Sequence, residues 1–241
     1  MSTQEYFGVP FNRTQANAIY TDAMSRMYGL VALGVITTGA TIWIGDMTGV
    51  GEVFYSLGWI GWLLMIGIMF GTLMAANAVV AKGNTALGTV LYLAFTGIEG
   101  LFLSPILQAF TGETIGMAFL LTGGLFVAMS AIGMTTKRDL TKWGPMLLIG
   151  LVGLIIISLI NMLLIGSSGL FLIINILLLP LFLALTVWET KQMKELAQEA
   201  AMQGDQKAAT QVAVIGSIGL YLNVLNIFLI ILNLLGIFSN D

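Results

Sequence analysis

The sequence has no cysteine and no histidine. Without cysteine there is no disulfide, no thiolate nucleophile and no thiolate metal site. Without histidine the chain lacks the usual physiological pH switch, the usual general base and the commonest metal ligand. Charge is scarce as well. Only 9% of the residues are charged, against roughly 25% in an ordinary soluble domain. So few charges cannot cover the surface of a 241-residue globule, and the natural solvent of this chain is lipid. The net charge of −3 is small, and no basic patch points to nucleic acid. Residues 1–26 are polar and mixed, without a charged start leading into a short apolar core and a small-residue cleavage site. They read as a cytoplasmic N-terminal segment, with the first apolar stretch as the insertion signal.

What is present is hydrophobic, at 58% of the residues. A helix needs about 20 apolar residues to cross the bilayer core. Seven stretches qualify: 27–45, 53–81, 86–110, 115–134, 145–165, 169–188 and 212–238. The sequence therefore predicts an all-α, polytopic membrane helix bundle with seven transmembrane helices over 27–238. The second and seventh spans are long enough to tilt.

The loops predict the orientation. Arg13 and Arg26 precede the first span, and Lys82 lies between the second and third. Lys137, Arg138 and Lys142 lie between the fourth and fifth, and Lys191, Lys194 and Lys207 between the sixth and seventh. The intervening loops hold Asp46, Glu52 and Glu113 and no basic residue. All positive charge thus falls on one side, which places the N-terminus in the cytoplasm and the C-terminus outside. The segment 189–211 mixes charges with alanine around Gly204. It reads as cytoplasmic extensions of two helices joined at a turn, either a gate or partner-binding arm or a solvated connector.

Polar groups at membrane depth are costly and usually face the bundle interior. Glu99 lies mid-span with no Lys or Arg at matching depth, so an uncharged form is expected. It is either a proton or cation site or a neutral group bonded to another helix. Asn175, Phe182, Thr186 and Glu189 fall within a narrow arc of the sixth span, and Gly216, Gly219, Asn223, Asn226 and Asn233 form a small-and-polar stripe on the seventh. The two stripes are expected to face each other or a central cavity, as helix–helix glue or as a polar pathway. Pro105 and Pro180 each remove a backbone donor and free a carbonyl one turn earlier, at Leu101 and Ile176. They are candidate bends or gating points. Gly67 and Gly71, four residues apart, fit a close helix crossing.

Four segments carry a resemblance. The fourth span ends in Met129-Ser130-Ala131-Ile132-Gly133-Met134 and runs into Thr135-Thr136-Lys137-Arg138-Asp139-Leu140-Thr141. The third contains Glu99-Gly100-Leu101 and Ser104-Pro105-Ile106, the sixth ends in Trp188-Glu189-Thr190-Lys191, and the seventh holds Gly219-Leu220-Tyr221-Leu222-Asn223-Val224-Leu225-Asn226. Together they resemble the Bax inhibitor-1, or transmembrane Bax inhibitor motif, family over essentially the whole chain after residue 20. The run Thr136, Lys137, Arg138, Asp139 in a short basic loop is the most specific element. The resemblance implies a seven-helix bundle with the last helix near its centre, and a calcium leak gated by pH. It also implies a sensor of two carboxylates that share a proton, one at the end of the sixth helix and one in the seventh. Carried over by motif, the first is Glu189. The second position is Asn223, an amide that cannot titrate, and the arginine expected in the second span is missing.

Two functions compete. One is a passive calcium or cation pathway through Glu99, Glu189 and the polar stripes, since hard cations prefer oxygen ligands. The other is a non-transporting regulator that binds a membrane protease or stress-response partner through 189–211. A retinal-binding bundle would need a buried lysine, which the seventh span lacks. Enzymatic chemistry is not expected, because only scattered carboxylates and lysines remain for acid–base work. No cofactor is expected, with Ca²⁺ entering only as a transported ion. The partner common to both readings is the lipid bilayer, and the short loops favour a prokaryotic plasma (inner) membrane.

Overall fold

Backbone groups in hydrocarbon must find partners within their own segment, and every apolar stretch of this chain does so as helix. The structure, a computed structural model, describes residues 13–239; residues 1–12 of the expected N-terminal segment lie outside them. The helices are α1 (Arg13–Thr48), α2 (Val50–Ser56), α3 (Trp59–Ala81), α4 (Thr85–Leu107), α5 (Gly112–Thr135), α6 (Trp143–Ile160), α7 (Ser168–Met202) and α8 (Gln206–Ser239). All but α2 are long and apolar enough to cross a membrane, which makes seven among the described residues. Side-chain oxygens open several of them: Asn84, Thr111 and Ser167 accept the N–H groups of Leu87, Thr114 and Leu170.

Two expectations need correction. The second span, expected as one helix over 53–81, is α2 and α3, because Gly58 sits at φ 60 ψ −137, outside the helical region. The Gly67/Gly71 pair was expected at a close crossing, but nothing lies within 4 Å of a side chain built at either position, so both glycines face lipid. Elsewhere α6 runs on into a π-helical turn, Asn161–Ile165. The Asn161 amide clamps that turn by donating to the Ser167 carbonyl at 3.1 Å and accepting the Ser167 N–H at 3.0 Å.

Three helices exceed the bilayer. At 1.5 Å per residue α1, α7 and α8 each reach about 50 Å, against a hydrocarbon core of about 30 Å. Their excess emerges at one end as a three-helix stalk. Ala16, Ile19 and Ala23 of α1 pack there on Ala197, Ala200 and Ala201 of α7 and Ala209 of α8. Small side chains let these helices approach closely, and the stalk turns at Gly204, whose φ of 69 suits glycine.

α8 packs against α1, α3, α4, α5 and α7, the central place that the resemblance implied. It and α4 each bury 50% of their apolar stretch, whereas α6, set chiefly on α7, buries 6%. The basic loops share one end of the bundle. Gln206 donates to Asp22, Gln211 to the Val80 carbonyl, Lys194 to the Met134 carbonyl and Lys191 to the Arg138 carbonyl. Those contacts tie α1, the α3–α4 turn and the α5–α6 loop to the stalk. At the other end Gln108 donates to Asp46 at 3.0 Å.

Candidate functional site

Near the middle of α7, four consecutive side chains fan out around the helix, as a 100° step requires. Trp188 packs on Gly144 of α6, and Thr190 lies on Gly133 of α5, where a Cβ would stand 2.7 Å from it. Lys191 reaches the Arg138 carbonyl, where Lys194 also closes the end of α5 through Met134 at 2.7 Å. These ammonium groups meet the exposed carbonyls and the negative end of the α5 dipole. Glu189 turns inward to α8. Its carboxylate lies against Gly219, in space that a Cβ would fill, and Asn223 Nδ2 donates to Glu189 Oε2 at 2.7 Å. The amide thus meets the carboxyl at the position where the resemblance implied a second acid.

The loop after α5 is built locally. Thr141 donates both its hydroxyl, at 2.6 Å, and its N–H, at 2.9 Å, to Asp139 Oδ1. Those bonds, the hydroxyl first, hold the Asp139 carboxyl below the usual carboxylate range. Thr136 accepts the Arg138 N–H at 3.3 Å, while Lys137 and Arg138 stay exposed.

Glu99 is buried on α4, and its Oε2 has no hydrogen-bond partner. The Tyr221 and Thr38 hydroxyls share a 2.7 Å hydrogen bond, and Thr38 Oγ1 donates onward to the Thr96 carbonyl at 3.0 Å. Tyr92 and Phe95 pack edge-on against the Tyr221 ring, with centroids 5.8 and 6.0 Å away. Sequence reasoning passed over this Tyr221–Thr38 layer. The available signal was a mid-span tyrosine, whose hydroxyl must find a partner once buried.

The other sequence candidates are not brought to Glu189. The Asn175 amide donates to the Phe171 carbonyl at 2.9 Å and the Asn226 amide to the Leu222 carbonyl at 2.7 Å, each one turn back on its own helix. Between the expected facing stripes, a polar contact joins Glu189 to Asn223 beside Gly219. Pro105 sits in the last turn of α4, where Gly51 packs on it and on the Leu101 carbonyl; Pro180 lies within α7, which continues through it. Among the described residues no group of three or more Asp or Glu is placed to hold a metal ion.

Seven apolar spans enclosing two carboxyl groups define a multi-pass integral membrane protein. Residues 21–240 match the family model described as "Inhibitor of apoptosis-promoting Bax1". The chain belongs to the Bax inhibitor-1 family. Among its relatives, an uncharacterized protein of Borreliella burgdorferi is 32% identical over 218 residues, covering 90% of this chain and 93% of the relative. The inner membrane protein YbhL of Escherichia coli K12 is 29% identical over 217 residues, covering 88% and 90%. An uncharacterized protein of Deinococcus radiodurans is 31% identical over 212 residues, covering 88% of each.

Proposed function

We propose that this protein is a passive, pH-influenced leak pathway for calcium or a similar cation, and not an enzyme, in a prokaryotic inner membrane. One observation carries the reading. Two carboxyl groups lie inside the apolar bundle, Glu99 on α4 and Glu189 on α7 against α8, and no ion pair neutralises either among the described residues. Glu189 has one neutral amide as its partner, and Glu99 keeps a free oxygen. A hard cation takes such oxygens as ligands. Protons compete with it for the same oxygens, which makes the flux pH-dependent. No resident cofactor is required, and the cation is cargo. The inner-membrane location is supported by the name of the Escherichia coli relative.

Calcium flux into proteoliposomes tests this reading. Glu99→Gln and Glu189→Gln keep size and hydrogen bonding but remove the charge. Each is expected to reduce flux, and the double variant to abolish it. Unchanged flux in the double variant sinks the idea.

The orientation proposed is N-terminus in, C-terminus out. Since the chain has no cysteine of its own, single-cysteine labelling is unambiguous. Lys82→Cys and Lys142→Cys are expected to react from the cytoplasmic side and Glu113→Cys from the outside. Labelling of the two lysine positions from opposite sides would refute the topology.

A second reading, a regulator that docks on a membrane protease, is favoured by the stalk, which is packed on alanine yet leaves Leu196 and Met202 exposed. A protease captured by the wild type and lost on Leu196→Glu would support it; equal capture by both would count against it.

A further inference from the structure

At the basic end of the bundle a cavity of about 450 Å³ lies between α1, α4 and α8. Its floor is apolar, formed by the buried Ala213 and Val214. It opens sideways towards lipid past Gly29 and Leu33, which are exposed. Its single charged lining residue is Arg26, at the boundary between the stalk and the first apolar span.

Two sets of donors stand at the mouth, on Arg26 and at the start of α4. Arg26 gives Nε to Asp22 Oδ2 at 2.8 Å, and its two terminal amino groups remain. Asp22, which pairs with Arg26, also accepts from Gln206 Nε2 at 2.9 Å on the same oxygen. Thr85 and Ala86, which open α4, line the same cavity. Their N–H groups have no partner within the helix, and the Asn84 cap takes Leu87 N instead. A forked guanidinium beside a helix N-terminus matches a phosphate. The hydroxyls of Thr89 and Thr210 add no donor, since each is spent on its own helix, on the Thr85 and Gln206 carbonyls.

We propose that this cavity binds one anionic phospholipid of the adjacent leaflet. Its phosphodiester sits at Arg26 and the start of α4, and an acyl chain lies on the Ala213–Val214 floor. The depth fits, because an arginine at the end of a span reaches the headgroup layer. A lipid held there touches three helices at once, so its binding stabilises the folded bundle by mass action. This site is independent of the proposed leak.

The test is native mass spectrometry of the detergent-purified full chain with phosphatidylglycerol or with phosphatidylcholine of the same acyl chains. One phosphatidylglycerol is expected to bind in preference. Arg26→Gln is expected to lower that affinity about tenfold, the loss of a charge-assisted contact, and to remove the preference. Gly29→Leu places a side chain at the mouth, where nothing lies within 4 Å, and is expected to weaken both lipids; it carries the test if Arg26→Gln does not fold. Lys142→Gln, on the α5–α6 loop, is expected to bind as the wild type does. Undiminished phosphatidylglycerol binding by Gly29→Leu or by folded Arg26→Gln overturns the proposal, as does an equal loss in Lys142→Gln. Displacement of the lipid by excess inorganic phosphate would mean a free-phosphate site and overturn it too.

Discussion

Gly100→Ile is expected to force α1 away from α4 and to lower the thermal midpoint of the detergent-solubilised protein sharply. At this crossing the Gly100 α-carbon lies against the Thr38 backbone carbonyl and the Thr41 hydroxyl, in space that even a Cβ would fill. The Thr41 side chain can rotate, but a carbonyl in mid-helix moves only with its helix. Overpacking costs about 1–3 kcal/mol for small additions and more for larger ones, and isoleucine adds four carbons. The damage also reaches the site, since Thr38 bonds Tyr221 and Glu99 precedes Gly100. Gly67→Ile is the matched control. That position has nothing within 4 Å and faces lipid, so the change is expected to fall within about 0.5 kcal/mol of neutral. Equal midpoints for the two variants would show that the α1–α4 approach is not as close as described.

The second large effect is expected at Asn223, through two opposite substitutions. Asn223→Leu keeps the bulk and removes the donor 2.7 Å from Glu189 Oε2. A buried acceptor left without its partner costs about 1–3 kcal/mol, read as a fall in thermal midpoint. Adding Glu189→Leu removes the orphaned group, so the double variant is expected to regain much of the loss. A strictly additive double variant would mean the two side chains are not coupled. Asn223→Asp instead creates a carboxyl pair at hydrogen-bond distance, and such a pair shares one proton. The cation flux of this variant is expected to change steeply between mildly acidic and mildly alkaline buffer, where the wild type, with a single titrating member, changes less. A flux profile identical to wild type would remove the pair from the gating mechanism.

The seven spans were legible because lipid leaves few alternatives: long apolar runs must be helices, and the nine basic residues group at one end. The Glu189–Asn223 contact was legible through aligned motifs. What stayed hidden has physical causes. The helical extensions across 189–211 and their turn at Gly204 were legible, but the packing of α1 on them was not, because it is cemented by alanine, which packs well but barely registers as apolar. The break at Gly58 depends on one backbone dihedral. Asn175 and Asn226 looked equivalent to Asn223 by spacing. An amide on a helix can always bond the carbonyl one turn back, and only the approach of Glu189 draws Asn223 out of that habit.

The fan at residues 188–191 has a mechanical consequence. Each of its four side chains is seated in a different neighbour, and advancing α7 by one residue would swing all of them through about 100°. α7 therefore has no gentle way to turn. A rotation of α7 that withdraws Glu189 from α8 would also unseat Trp188 from Gly144, Thr190 from Gly133 and Lys191 from the Arg138 carbonyl.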